Sequence, residues 1–296
     1  MSGGRDAGPP FRNRETAMSE RFGYCLNTAT IRGQKLGIVE EVRVAAEAGY
    51  GAIEPWIDTI RQYQQAGGSV DDLRRRIEGV GLKVPGAIGF AHWIVDDPAD
   101  RAAGLEEARR DMDLVRRLGG TGIAAPPAGA DGPIDPFAAA ERYHALLEVG
   151  EQIGVVPQAE FWGHAPTLNR LAEAVLVAVA SGHRQACILA DVFHMHKGGS
   201  RFEGLRLLGP ETIAIFHVND YPADPPREQV TDAQRVWPGD GVAPLGQVFG
   251  DLEATGFRGW LSVELFNPAY YAQPAADAAR TGLEKTRQAV AEALGE

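Results

Sequence analysis

The sequence predicts a single-domain α/β protein, a (β/α)8 TIM barrel with its active site at the C-terminal mouth. Three observations carry that prediction. Short β-like runs alternate with amphipathic helical stretches from about residue 22 to the end, with no obvious linker. An open doubly wound sheet would carry a glycine-rich phosphate turn after its first strand, and here Asn27-Thr28-Ala29-Thr30 follows instead. Four consecutive hydrophobic segments of the second half each end in a residue that can bind a divalent metal: Glu160, Asp191, His217 and Glu264. A buried parallel strand has little reason to finish on a charge that loses its hydration, so four such endings suggest strand ends converging on one cation.

The elements follow in order. Phe22 to Leu26 is the first strand, and Leu36 to Ala48 is its helix, stopped by Gly49. Ala52-Ile53 is a short second strand ending at Glu54. Val70 to Val80 is helical and closed by Gly81, and Lys83 to Ile88 is the third strand. Pro98 to Leu118 is a long helix, with Gly119-Gly120 behind it. Gly122 to Ala125 is the fourth strand, ended by Pro126-Pro127, which deny further ladder donors. Pro136 to Ile153 and Leu168 to Ala180 are the next helices, on either side of the strand that ends at Glu160. A weakly marked helix lies near Phe202 to Leu208, and Ala243 to Thr255 and Ala275 to Leu294 supply the last two. Counting gives eight β/α units in a barrel of residues 21–296. Residues 1–20 are polar, with Gly3-Gly4 and Pro9-Pro10 and no apolar signal-peptide core, and read as a disordered tail.

Composition narrows the partners. The 296 residues carry a formal net charge of −11, which argues against nucleic acid, since phosphate binding needs a basic footprint. No apolar run is long enough to span a membrane. The two cysteines, Cys25 and Cys187, both sit in apolar segments and read as buried free thiols in a reduced cytoplasmic setting. The charge says nothing about a small neutral sugar.

Three carboxylates and one imidazole make an oxygen-rich donor set. It suits Mn2+ first, Mg2+ or Co2+ as well, and Zn2+ less. Three carboxylates against a dication leave the shell about one unit negative, so nearby donors must offset the excess. His194, Lys197 and Arg227 are the candidate suppliers. The loop from roughly Asn219 to Gly241 is long and holds Asp220, Tyr221, Arg227, Arg235, Trp237 and Asp240, which marks a lid or binding element. Aromatic residues beside strand ends (Trp56, Trp93, Phe161, Trp162 and Phe266) offer ring faces to the C–H faces of sugars. Glu54 either binds a substrate hydroxyl or pairs with an arginine.

The segments Ala159-Glu160, Asp191-Val192-Phe193-His194, Phe216-His217-Val218-Asn219-Asp220, Pro238-Gly239-Asp240-Gly241 and Ser262-Val263-Glu264 carry a family likeness. With them the chain resembles the xylose-isomerase-like barrel superfamily over about residues 22 to 290. The nearer group is the sugar (phosphate) isomerase/epimerase group, which includes tagatose and psicose epimerases, hydroxypyruvate isomerase and inosose dehydratase. The resemblance implies that Glu160, Asp191, His217 and Glu264 hold one metal. It also implies that Glu160 and Glu264 work on opposite faces of a carbohydrate, one removing the proton beside a carbonyl and the other returning it. His194 would polarise substrate oxygens, with Arg227, Glu54 and Trp162 as further substrate contacts. A homo-oligomer, dimer or tetramer, is implied by the same likeness.

The expected reaction is therefore metal-dependent isomerisation or epimerisation of a sugar through an enediolate. The alternative is a lyase acting on a keto sugar, keto-inositol or oxidised glycoside at the same site, with His164 or His194 protonating the leaving group. Two positions depart from the epimerase pattern. Ala223 stands where those enzymes have an arginine six residues after the metal histidine, and Pro166 stands where they have a second glutamate.

Overall fold

A computed structural model describes residues 21–295, so the tail expected over residues 1–20 lies outside the described residues. Among them, seven parallel strands form one sheet. These are β1 (Gly23–Asn27), β2 (Ala52–Glu54), β3 (Gly122–Ala125), β4 (Val156–Glu160), β5 (Ile188–Asp191), β6 (Ile213–Val218) and β7 (Trp260–Val263). Their spatial order is β2-β1-β7-β6-β5-β4-β3, so the open gap lies between β2 and β3.

The expected strand over Lys83 to Ile88 occupies that gap but is not a regular strand. Toward β2 it makes isolated bridges, Ala52 with Lys83 and Trp56 with Ile88, in place of a ladder. Single backbone bonds complete the wall: Ile53 N to Lys83 O at 2.9 Å, Ile88 N to Pro55 O at 2.9 Å, and Ala124 N to Ala87 O at 2.9 Å. Two residues account for this. Pro85 has no N–H to give the ladder, and a Cβ at Gly86 would stand 2.5 Å from Ile215 Cδ1. The segment closes the TIM barrel as an irregular eighth stave.

Among the described residues ten α-helices join and flank the strands: α1 (Ile38–Ala48), α2 (Ile57–Gln65), α3 (Val70–Gly79), α4 (Pro98–Arg117), α5 (Pro136–Ile153), α6 (Leu171–Ser181), α7 (Val192–Gly198), α8 (Leu245–Ala254), α9 (Pro268–Tyr271) and α10 (Ala275–Leu294). The two long helices α4 and α5 start alike. Asp97 and Asp135 cap them through their side chains and a proline follows each cap, where its missing N–H costs nothing. Three helices were not anticipated: α2, α7 and α9. The segment Phe202–Leu207 forms a 3-10 helix.

Strand periodicity places the site. Successive side chains of a strand face opposite sides, so Leu189 shares a face with Asp191, and Ile215 with His217. Leu189 and Ile215 pack with Ile88 and Ala124 into a small apolar cluster distinct from the larger core beneath the helices. That plug sits one layer below the charged residues of the mouth. Cys25 and Cys187 are both buried free thiols. Among the described residues no helix is long and apolar enough to cross a membrane.

Candidate active site and metal centre

Glu160 and Asp191 are the last residues of β4 and β5, His217 is the penultimate residue of β6, and Glu264 follows β7 directly. Register does the assembly. Asp191 pairs with His217 across β5 and β6, and Asn27 with Glu54 across β1 and β2. One donor atom from each of Asp191, His217 and Glu264 lies within 4.8 Å of the other two, and all three residues are buried. Glu160 is buried at the same mouth and lines the cleft with Glu264, yet it does not join that mutual grouping.

His217 is held by its far nitrogen. Its Nε2 lies 3.0 Å from Glu54 Oε2, an oxygen that also accepts from Ser262 Oγ at 2.7 Å and Asn27 Nδ2 at 3.1 Å. With an N–H on Nε2, the lone pair falls on Nδ1, the arrangement a metal-ligating histidine needs. Nδ1 is buried and has no hydrogen-bond partner. It stands 3.2 Å from Glu264 Oε2 and 3.8 Å from Asp191 Oδ2, close but outside hydrogen-bond alignment. An orphaned imidazole nitrogen facing two carboxylates fits a divalent cation.

The other cation of the site is Arg235, at 1% exposure. Its Nη1 donates to Asp191 Oδ2 and to Glu264 Oε2, both at 2.9 Å. Its Nη2 reaches Asp232 Oδ1 at 2.6 Å and His194 Nε2 at 3.2 Å. The guanidinium carbon lies 4.6 Å from the Phe193 ring centroid and 5.1 Å from that of Phe266. The long loop after β6 delivers it. Asp220 accepts four backbone N–H groups of that loop, from Tyr221, Gly239, Gly241 and Ala243, at 2.8 to 3.1 Å. Asp220 and Val236 also pair as an antiparallel bridge.

These surroundings divide the two glutamates. Burial, opposed by His217 but reinforced by the nearby carboxylates, pushes the Glu160 carboxyl up. Burial opposes the charged form of both His217 and Glu264, but Glu264 and Glu54 together hold the imidazole well above its ordinary value, as a second proton at Nδ1 that a bound cation would replace. That charge, with Arg235, holds the Glu264 carboxyl low. Burial, aided by Arg235 and opposed by Asp191, pushes the His194 imidazole down to about 4. A neutral imidazole has one acceptor nitrogen. Arg235 is a closer donor to His194 than Gly163 N, which stands 3.4 Å from Nδ1, so Arg235 takes the acceptor.

A cleft of about 250 Å³ opens above this layer, lined by Trp56, Phe90, Trp162, Phe266, Glu160, His164, His194, Asp232, Arg235 and Glu264. Its rings touch. Trp56 and Phe90 lie 5.0 Å apart between centroids, and Trp162 stacks on His164 at 5.6 Å. Of the residues expected to meet substrate, Trp162 and His194 are here. Glu54 is not: it is 1% exposed and its Oε2 is taken up by His217, Ser262 and Asn27. Arg227 is also elsewhere, with its half-exposed side chain paired to Glu228. Lys197 is spent on the carbonyls of Arg227, Glu228 and Val230. Trp93 belongs to the core, its indole N–H bonded to Pro126 O. Sequence reasoning missed Asn27, Ser262, Asp232 and Phe90. Asn27 ends β1 and was legible by the same strand-end rule; the others needed the tertiary arrangement.

The family model that matches residues 42–289 is that of the xylose isomerase-like TIM barrel, and the chain belongs to this family. An inosose isomerase of Bacillus velezensis is 28% identical over 272 residues, spanning 90% of this chain and 96% of that protein. A 3-dehydroshikimate dehydratase of Pseudomonas aeruginosa is 26% identical over 264 residues, 84% of this chain but 40% of the longer relative. Among solved structures, the IOLI protein with a bound zinc atom superposes with a TM-score of 0.86 at 26% identity, over 92% of this chain and 99% of that one. These likenesses place the chain among enzymes of the sugar isomerase/epimerase kind.

Proposed function

We propose that the protein is a divalent-metal-dependent isomerase or epimerase of a keto sugar or keto-cyclitol. Asp191, His217 and Glu264 would hold the ion, with Glu160 completing the set. The observation that carries the reading is the His217 ring, anchored at Nε2 by Glu54 and leaving a buried, unpartnered Nδ1 between two carboxylates. The donor set favours Mn2+, Mg2+ or Co2+ on hardness, whereas the similar IOLI protein holds zinc; metal analysis of the purified protein decides between them.

When bound, the ion would polarise a carbonyl or hydroxyl oxygen and make the neighbouring C–H more acidic. The chain supplies the proton transfers. Glu264, held ionised by the Arg235 guanidinium, is the base that takes the proton beside the carbonyl. Glu160, whose buried carboxyl keeps a proton more readily, returns one. His194 and Arg235 oppose the negative charge that develops between these steps. The rings of Trp56, Phe90, Trp162 and Phe266 exclude water and receive the C–H face of the substrate.

One observation favours the lyase as a second reading. His164 lines the cleft 5.8 Å from His194 between centroids and could protonate a β leaving group after the same first step. The named dehydratase relative is consistent with it.

The test is a panel of keto sugars and keto-inositols incubated in D2O with Mn2+ or Zn2+ and followed by NMR. Label uptake at the α-carbon is expected, with epimer formation for the first reading and loss of water or aglycone for the second. Glu264→Gln should reduce exchange by about 10²- to 10⁴-fold with the fold intact. Undiminished exchange in that variant, or full activity in protein verified metal-free, would refute the mechanism.

A further inference from the structure

The three carboxylates expected around the ion carry more negative charge than a dication balances, and the structure has one buried guanidinium against them. Arg235 does not reach them from the rim. It bridges Asp191 Oδ2 and Glu264 Oε2 with a single nitrogen, and these are the two oxygens nearest His217 Nδ1. Asp191 Oδ2 also accepts from Asn219 Nδ2 at 2.9 Å, so its two lone pairs are both in use. An ion arriving at that oxygen must displace one of the two donors. Asn219 is fixed by a second bond, its Oδ1 accepting from Phe193 N at 2.9 Å. Arg235 has somewhere to remain: Asp232, His194 and the two flanking rings keep its guanidinium in place when Nη1 lets go.

We propose that Arg235 is an internal counter-cation of the metal centre. It shares Asp191 and Glu264 with the ion, weakens the ion's binding by occupying their lone pairs, and stays beside the loaded site as its extra positive charge. The inference rests on the metal reading above, and it assigns Arg235 a role directed at the ligands in addition to the one it has toward charge developing on the substrate. It also makes the loop after β6 part of the metal centre, because Asp220 and the bridge to Val236 set where Arg235 stands.

The sign of one measurement separates this role from simple scaffolding. If Arg235 only held the ligands in place, removing it would loosen them and weaken metal binding. A counter-cation removed does the reverse: the site gains negative charge and loses a competitor. Arg235→Met and Arg235→Gln should therefore bind Mn2+ and Zn2+ at least about tenfold more tightly in titration calorimetry. Arg235→Lys keeps the charge and should stay within about threefold of the parent. Circular dichroism checks that each variant is folded. In the unaltered protein, adding Zn2+ should shift the Arg235 Nε–H resonance, identified by its absence in Arg235→Lys.

Unchanged or weaker affinity in a folded neutral variant overturns the proposal and leaves the metal site standing. An Arg235 resonance indifferent to Zn2+ overturns it as well, and decides the matter if neither neutral variant folds. Failure of the unaltered protein to bind any metal overturns the metal reading, and this inference with it.

Discussion

The carboxylates of the mouth are approached from two sides that are built differently. On the strand side, Asn27, Glu54 and Ser262 come from β1, β2 and β7, and their mutual bonds of 2.7 to 3.1 Å fix His217 and reach Glu264 Oε1. On the loop side, Arg235 and Asp232 come from a connection pinned by one aspartate. The strand side is set by the barrel's own register and holds the donor atoms in orientation. The loop side stands outside the barrel's ladders, held by Asp220 and its bridge to Val236, and it brings the opposing charge. Orientation rests on the strands and charge balance on the loop, as expected where a scaffold presents the ligands and a connection completes the site.

Three substitutions would break or sharpen that contrast. The largest effect is expected on the strand side. Glu54→Gln keeps the shape but removes the charge opposite His217 Nε2, so metal affinity should fall about 10- to 100-fold; unchanged affinity by calorimetry would mean that Glu54 does not set the ring. The loop side should respond next. Asp220→Ala strips four backbone N–H groups of their acceptor, and stability to urea should drop by about 1–3 kcal/mol. The same variant should bind metal no worse than the parent, since its ligands stand on strands; a loss comparable to that of Glu54→Gln would erase the distinction. The smallest effect is expected at Arg227→Ala, on the same loop but outside the cleft. Stability within about 0.5 kcal/mol of the parent and unaltered KM are expected, and a raised KM would bring that side chain back to the substrate.

The residues that were easy to read and those that were not differ in a physical way. Glu160, Asp191 and Glu264 announced themselves because a charge at the end of an apolar run is locally anomalous. The helices α5 and α10 were bounded correctly by local signals such as the Asp135-Pro136 start and the Gly154 stop. The eighth stave was read as a regular strand because Lys83 to Ile88 is a short, largely apolar run after the Gly81 stop; that Gly86 is wedged against Ile215 is a contact between distant parts of the chain. Arg227 and Arg235 are eight residues apart on one loop, and nothing local ranks them. Helix α7 was missed because Asp191 reads as a strand end while its carboxylate also caps the helix, accepting from His194 N at 2.8 Å.

By itself the sequence determined the barrel class, most element boundaries and the strand-end identity of the metal-capable residues, because those follow from periodicity, caps and the cost of burying charge. Only the tertiary structure decided that Glu54 faces His217 rather than substrate, and that Arg235 rather than Arg227 enters the mouth. Both outcomes depend on register between strands far apart in the chain and on how one loop folds back, and no local pattern encodes either.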